Sequence, residues 1–113
     1  MGRVWGMLVV NRFRVAEDDA AAFRDEVTVA HDLLADRPGY VDGAVGRNVD
    51  DPSLWVMQTR WENVGSYRRA LSSYDVKVGA VPLLSRALDE PSAYEIVAPD
   101  DGADLNRQLP RSL

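Results

Sequence analysis

Two segments of this chain alternate residue by residue, and each runs directly into a stretch with helical spacing. From Val4 to Val15, Trp5, Met7, Val9, Asn11, Phe13 and Val15 share one face, with Leu8, Val10, Arg12 and Arg14 on the other. From Leu54 to Glu62, Trp55, Met57, Thr59 and Trp61 oppose Leu54, Val56, Gln58 and Arg60. A period of two is the signature of a strand. A strand-then-helix unit used twice in 113 residues restricts the chain to a small set of layered folds.

The intervening segments narrow the set further. Glu17, Asp18 and Asp19 supply an N-cap candidate and negative charge at a helix start. Ala20, Phe23, Val27, Ala30, His31 and Leu34 then recur at helical spacing, and Arg37-Pro38-Gly39 ends the run. Tyr40 to Asn48 is expected as a second strand, with Gly43 and Gly46 marking a bulge or a close approach to the backbone. Asp50 to Ser53 turns it back into the strand that ends at Glu62, making an antiparallel hairpin. Asn63 is placed to cap a helix through Tyr67, Ala70 and Leu71 that breaks near Ser72-Ser73. A short helical piece over Asp75 to Val81 is expected to be limited by Pro82, and Ser92 to Ala98 alternates as a last strand. The order β-α-β-β-α-β predicts an α+β, ferredoxin-like sandwich: one antiparallel sheet with both helices on one face. Residues 1–98 form this domain. Residues 99–113 begin Pro-Asp-Asp-Gly-Ala-Asp and are expected to be a polar tail, disordered or an arm ordered by a partner chain.

Leu8, Val10, Leu54 and Val56 fall on the sheet face away from the helices. An open apolar patch of that kind is avoided by monomers, and packing two such faces about a twofold axis hides both at once. A homodimer with a barrel-like core, a dimeric α/β barrel, is therefore expected.

Composition excludes several function classes. A formal net charge of −5 with scattered basic residues opposes binding to nucleic acid or to anionic membranes. There is no cysteine, hence no thiol nucleophile or thiolate metal site. With one histidine and no carboxylate pair at ligand spacing, no metal site is expected. Phosphate-cradling glycine motifs are absent. No run approaches the roughly 20 apolar residues of a membrane span, and no signal-peptide pattern opens the chain, so a cytoplasmic location is expected.

Three motifs carry a family resemblance: Val-Asn-Arg-Phe from Val10 to Phe13, Arg-Pro-Gly-Tyr from Arg37 to Tyr40, and Trp-Glu-Asn-Val-Gly-Ser-Tyr-Arg-Arg-Ala from Trp61 to Ala70. Over Val4 to Ala98 the chain resembles the antibiotic biosynthesis monooxygenase domain family. Some members of that family oxidise polycyclic phenols or quinols with molecular oxygen and neither metal nor flavin, in a pocket lined by Asn, Trp and Tyr. The resemblance maps the tryptophan to Trp61 and the tyrosine to Tyr67. A second asparagine of those members falls at Met57 here. Other members degrade haem with an Asn, a Trp and an iron-ligating His. Asn11 and Trp61 match the first two, but the histidine position falls near Gly79 or Ala80, and no histidine follows His31.

The candidate catalytic residues are therefore Asn11, Trp61, Tyr67 and His31, with Phe13, Met57 and Trp55 as substrate-holding residues. Structural readings stand beside these. A buried tryptophan removes on the order of 150–250 Å² from water, so Trp61 and Trp55 can act as core alone. Asn11 can satisfy backbone at a sheet irregularity, Tyr67 can simply anchor its helix, and His31 can be a packed residue at the edge of the helical stripe. Tyr74 and Tyr94 are expected to be structural. The expected activity is a cofactor-independent monooxygenase acting on a small aromatic phenol or quinol and O2. The alternatives are a non-catalytic binder of a small hydrophobic or aromatic ligand, or haem binding and degradation.

Overall fold

The structure, a computed structural model, describes residues 6–97. Trp5, Ala98 and the expected tail lie outside the described residues. Strand β1 (Met7–Arg14) leads through a 3-10 turn (Glu17–Asp19) into helix α1 (Ala20–Ala35). The hairpin of β2 (Tyr40–Arg47) and β3 (Leu54–Trp61) follows. Helices α2 (Val64–Ser72), α3 (Tyr74–Gly79) and α4 (Val81–Leu84) then lead to β4 (Ala93–Glu95). The sheet order is β2-β3-β1-β4 with every neighbouring pair antiparallel. This is the expected ferredoxin-like α+β arrangement.

The alternation in β1 and β3 sets which side is core. Their register runs from Met7 opposite Trp61 to Arg14 opposite Leu54, which puts both odd-numbered sets on one face. Met7, Val9, Phe13, Val15, Trp55, Met57, Thr59 and Trp61 are buried there. Helix α1 adds Phe23, Val27, Ala30 and Leu34, spaced four, three and four apart, the spacing of one helical face. Phe23 sits at the centre of an aromatic stack, 5.1 Å from the Phe13 ring and 5.3 Å from that of Trp55.

Gly39 joins the two halves of the fold. Its φ of +90° lies where a Cβ is disfavoured, and an added Cβ would collide with Ser66 in α2. The Gly39 carbonyl accepts from the backbone N–H of Glu62 at 2.8 Å. The Arg-Pro-Gly-Tyr turn and the Trp-Glu-Asn run, distant in sequence, thus meet at the start of α2. Asn63 caps that helix by accepting from the Ser66 N–H at 2.8 Å.

Four expectations need correction. The Asp19 side chain makes no cap at α1; the 3-10 turn before it supplies the entry instead. Pro82 does not stop the helical region but lies in the first turn of α4, where a missing N–H costs nothing. The last strand is three residues long, because only Met7, Leu8 and Val9 of β1 have partners on it. Tyr74 and Tyr94 are 78% and 49% exposed, so neither anchors the core.

Candidate functional site

The strand residues predicted as a site share one sheet face but divide into two groups along it. Asn11 faces Met57 across β1 and β3, whereas Trp61 faces Met7. Four residues separate Met57 from Trp61, about 13 Å at ~3.3 Å per strand residue. Phe13 and Trp55 pair one step beyond Asn11 on the opposite side.

At the Trp61 end the side chains form a connected aromatic cluster. Trp61 is 0% exposed, and its indole N–H donates to the Thr59 hydroxyl at 2.8 Å. Both side chains point the same way because they are two residues apart in a strand. Tyr40, the first residue of β2, presents its ring edge-on to Trp61 at 5.5 Å. Tyr67, from the first turns of α2, packs on the other flank at 5.6 Å. The Tyr40 hydroxyl lies 2.8 Å from His31 Nε2 on α1. His31 Nδ1 lies 3.7 Å from the carboxylate of Asp32. Gly43 leaves room for this contact, since a Cβ there would stand 2.8 Å from the Tyr40 hydroxyl and 3.0 Å from His31 Nε2.

Burial sets the protonation of both tyrosines. Desolvation raises Tyr67 above its ordinary phenol value. Tyr40 is raised by desolvation first, then by the charges of Asp42 and Asp32. Each therefore keeps its proton at neutral pH and remains a hydrogen-bond donor.

At the other end, Asn11 interrupts an otherwise sealed row. Met7, Val9, Phe13 and Val15 on its face are at most 6% exposed, while Asn11 keeps partial access. Its amide makes no hydrogen bond among the described residues. Tyr67 and Val45 are likewise only partly buried against the core. Phe13, Met57 and Trp61 have almost no accessible surface, and Trp55 little more. A ligand reaching this face would therefore meet Asn11 and Tyr67 before the apolar residues beneath. Trp55 carries a buried indole N–H without a partner among the described residues and lies under the Arg47 guanidinium at 5.3 Å.

Two shallow clefts of about 360 and 280 Å³, both bordered by Glu26 and Arg86, flank α1 and include none of the predicted site residues. Among the described residues no three His, Asp or Glu side chains converge as a metal site, and no helix is long and apolar enough to cross a membrane.

Sequence reasoning brought Trp61, Tyr67 and His31 to this region but passed over Tyr40 and Thr59. A signal for Thr59 was present: a polar residue between Met57 and Trp61 on a buried strand face needs a partner. Tyr40 carried a weaker one, since it follows a tight turn that folds β2 back along the last turns of α1.

The model of the antibiotic biosynthesis monooxygenase family matches residues 6–80. Among solved structures, a conserved protein from Methanosarcina mazei Go1 superposes with a TM-score of 0.69 at 22% identity, covering 83% of this chain and 95% of its own. SnoaB, a cofactor-independent oxygenase from Streptomyces nogalater, superposes with a TM-score of 0.68 at 24% identity, covering 83% of this chain and 93% of its own. At these identities the likeness is one of fold. No curated protein matches the chain significantly. The match over residues 6–80 spans most of the chain, and the chain belongs to the antibiotic biosynthesis monooxygenase family.

Proposed function

We propose that this member of the antibiotic biosynthesis monooxygenase family is a cofactor-independent oxygenase of a polycyclic phenol or quinol. The observation that carries the reading is Asn11: a polar, accessible amide without a hydrogen-bond partner among the described residues, in the middle of a buried apolar face. An inward amide costs stability unless something uses its hydrogen bonds. A phenolate oxygen is an acceptor that Asn11 can serve, as donors serve an oxyanion, and the protonated Tyr67 beside Trp61 can serve a second oxygen of a polycyclic ring. Phe13, Met57 and Trp61 supply an apolar floor for the ring.

The reaction needs no external reductant. A phenol plus O2 gives a quinone plus water, with the substrate supplying all four electrons. Deprotonation makes the ring electron-rich enough to pass one electron to oxygen. Recombination of the radical pair forms a hydroperoxide, and loss of water leaves the carbonyl. The protein's part is to hold the ring, stabilise the anion and keep water from the radicals. His31 is engaged with Tyr40, which disfavours its use as a haem ligand.

A second copy of the chain is proposed to cover the outer sheet face. Leu8, Val10, Leu54 and Val56 are only partly buried there. The arginines on that face are matched within the chain: Arg12 by Glu90 at 2.7 Å, and Arg14 and Arg60 by Asp51 and Asp42 at 2.6 Å.

Oxygen uptake by chelator-treated protein, measured against polycyclic phenols, anthrones and quinols, tests the activity. Uptake above the protein-free rate is expected, falling on the order of 100-fold in Asn11→Ala if one anion donor is lost. Full turnover in that variant would remove Asn11 from the mechanism. Aromatic binding without uptake would make the protein a ligand binder.

A further inference from the structure

We infer that Tyr67 is the gate of the proposed site, the specificity-determining residue that must leave the face of Trp61 before a fused ring can lie there. This rests on the oxygenase reading and says how its substrate enters. Trp61 is 0% exposed, so no ligand touches it until one of its covers moves. Two tyrosines flank it, and they are held differently. Tyr40 stands edge-on at 5.5 Å and is tied twice: it pairs with Trp61 across β2 and β3, and its hydroxyl meets His31 Nε2 at 2.8 Å. Tyr67 packs at 5.6 Å, is only half-buried, and its hydroxyl makes no hydrogen bond among the described residues. Its helix is lightly anchored as well. The buried residues of α2 are Ser66 and Ala70, small side chains that bring little apolar area to the contact. Moving Tyr40 breaks a hydrogen bond, whereas Tyr67 changes rotamer at the expense of packing alone.

A gate at this place selects by size. Asn11 is partly accessible already and lies opposite Met57. Trp61 lies four residues further along β3, about 13 Å at ~3.3 Å per strand residue. A single phenol ring held at Asn11 stops short of Trp61 and leaves Tyr67 where it is. A skeleton of three or more fused rings extends to the Trp61 end and has to displace Tyr67 to lie flat on the apolar floor. Its association is then slowed, and its binding weakened, by the fraction of time that the gate stands open. Once displaced, the Tyr67 ring lies at the edge of the ligand, where its hydroxyl can donate to the second oxygen.

The test uses 1-hydroxyanthraquinone, a three-ring phenol already at the quinone level, as a probe that binds without being consumed. In stopped-flow mixing, Tyr67→Ala should raise its association rate constant on the order of 10-fold or more, since a minor open state holds at most about a tenth of the molecules. Tyr67→Phe keeps the ring and loses the hydroxyl, so association should stay at the wild-type rate while dissociation quickens. Damage to the fold would slow association, so a rise reports the gate; equal association rates in wild type and Tyr67→Ala would overturn it. Hydroxyl-radical labelling read by mass spectrometry gives a second readout on the unsubstituted protein, with the exposed Tyr74 as reference. Binding of the probe should raise labelling at Tyr67 and leave Tyr40 unchanged; a fall at Tyr67, or a rise at Tyr40 instead, would contradict the assignment. Binding that requires Asn11 but shows no gate would sink this inference and leave the oxygenase reading standing. If the probe does not bind at all, the oxygenase site fails, and labelling of Trp61 in the free proteins still decides the gate. It should rise in Tyr67→Ala while Phe13 stays protected; a Trp61 still protected there would mean that Tyr67 is not its cover.

Discussion

Trp61 holds its place through two kinds of contact, and one of them is a single hydrogen bond. Its ring is enclosed by Tyr40 and Tyr67, and its only polar atom is answered by Thr59. Thr59→Val keeps the shape but strands a buried N–H, which costs about 1–3 kcal/mol. A lower urea midpoint with an unchanged slope is expected; an unchanged midpoint would mean that the indole finds another acceptor. Asp51 makes a different residue-level prediction. Hydrogen bonds from Ser53 and Arg14 lower its pKa from 3.8 to about 2. A depressed carboxyl contributes stability that is complete above its unfolded value and is lost as pH falls through the folded one. Asp51→Asn should therefore flatten the acid decline between those two values, read as melting temperature against pH. The odd-residue alternation of β1 and β3 already placed Asn11, Phe13, Met57, Trp55 and Trp61 on one face. It could not show that Asn11 and Trp61 stand about four residues apart along it, because register depends on the pairing of strands 40 residues distant in sequence.

At the scale of elements, the sequence was clearest where local chemistry decides. Asn63 was legible as a cap because an amide before a helical run has few better uses, and it accepts from both the N–H and the hydroxyl of Ser66. Asn63→Ala should lower stability by about 1 kcal/mol, measurable by urea denaturation. No change would mean that α2 is held by packing alone. The region after Ser73 was harder to read. In the sequence Pro82 reads as a limit, yet the chain bends at Ala80 and begins a new helical turn around Pro82. The length of β4 was not legible either, since it is set by how much of the β1 edge remains available.

For the molecule as a whole, the β-α-β-β-α-β order was enough to give the sheet topology, because right-handed connections leave one natural arrangement for it. The oligomeric expectation follows from the same topology, since the helices cover one face and leave the other. Light scattering coupled to size exclusion should give a dimer mass, and Val10→Lys, which places a charge in that face, should shift it to monomer. A monomer mass for the wild-type protein would contradict the proposed pairing. Function was legible only as far as the family, because Phe13, Met57 and Trp61 serve as core whether or not a ligand lies on them. The most direct test of the oxygenase account is turnover of a polycyclic phenol under ¹⁸O₂ with chelator present, with the product read by mass spectrometry. The account predicts one labelled oxygen in the quinone, with the yield of labelled product falling on the order of 100-fold in Asn11→Ala; unlabelled product, or labelled product formed no faster than without protein, would contradict it.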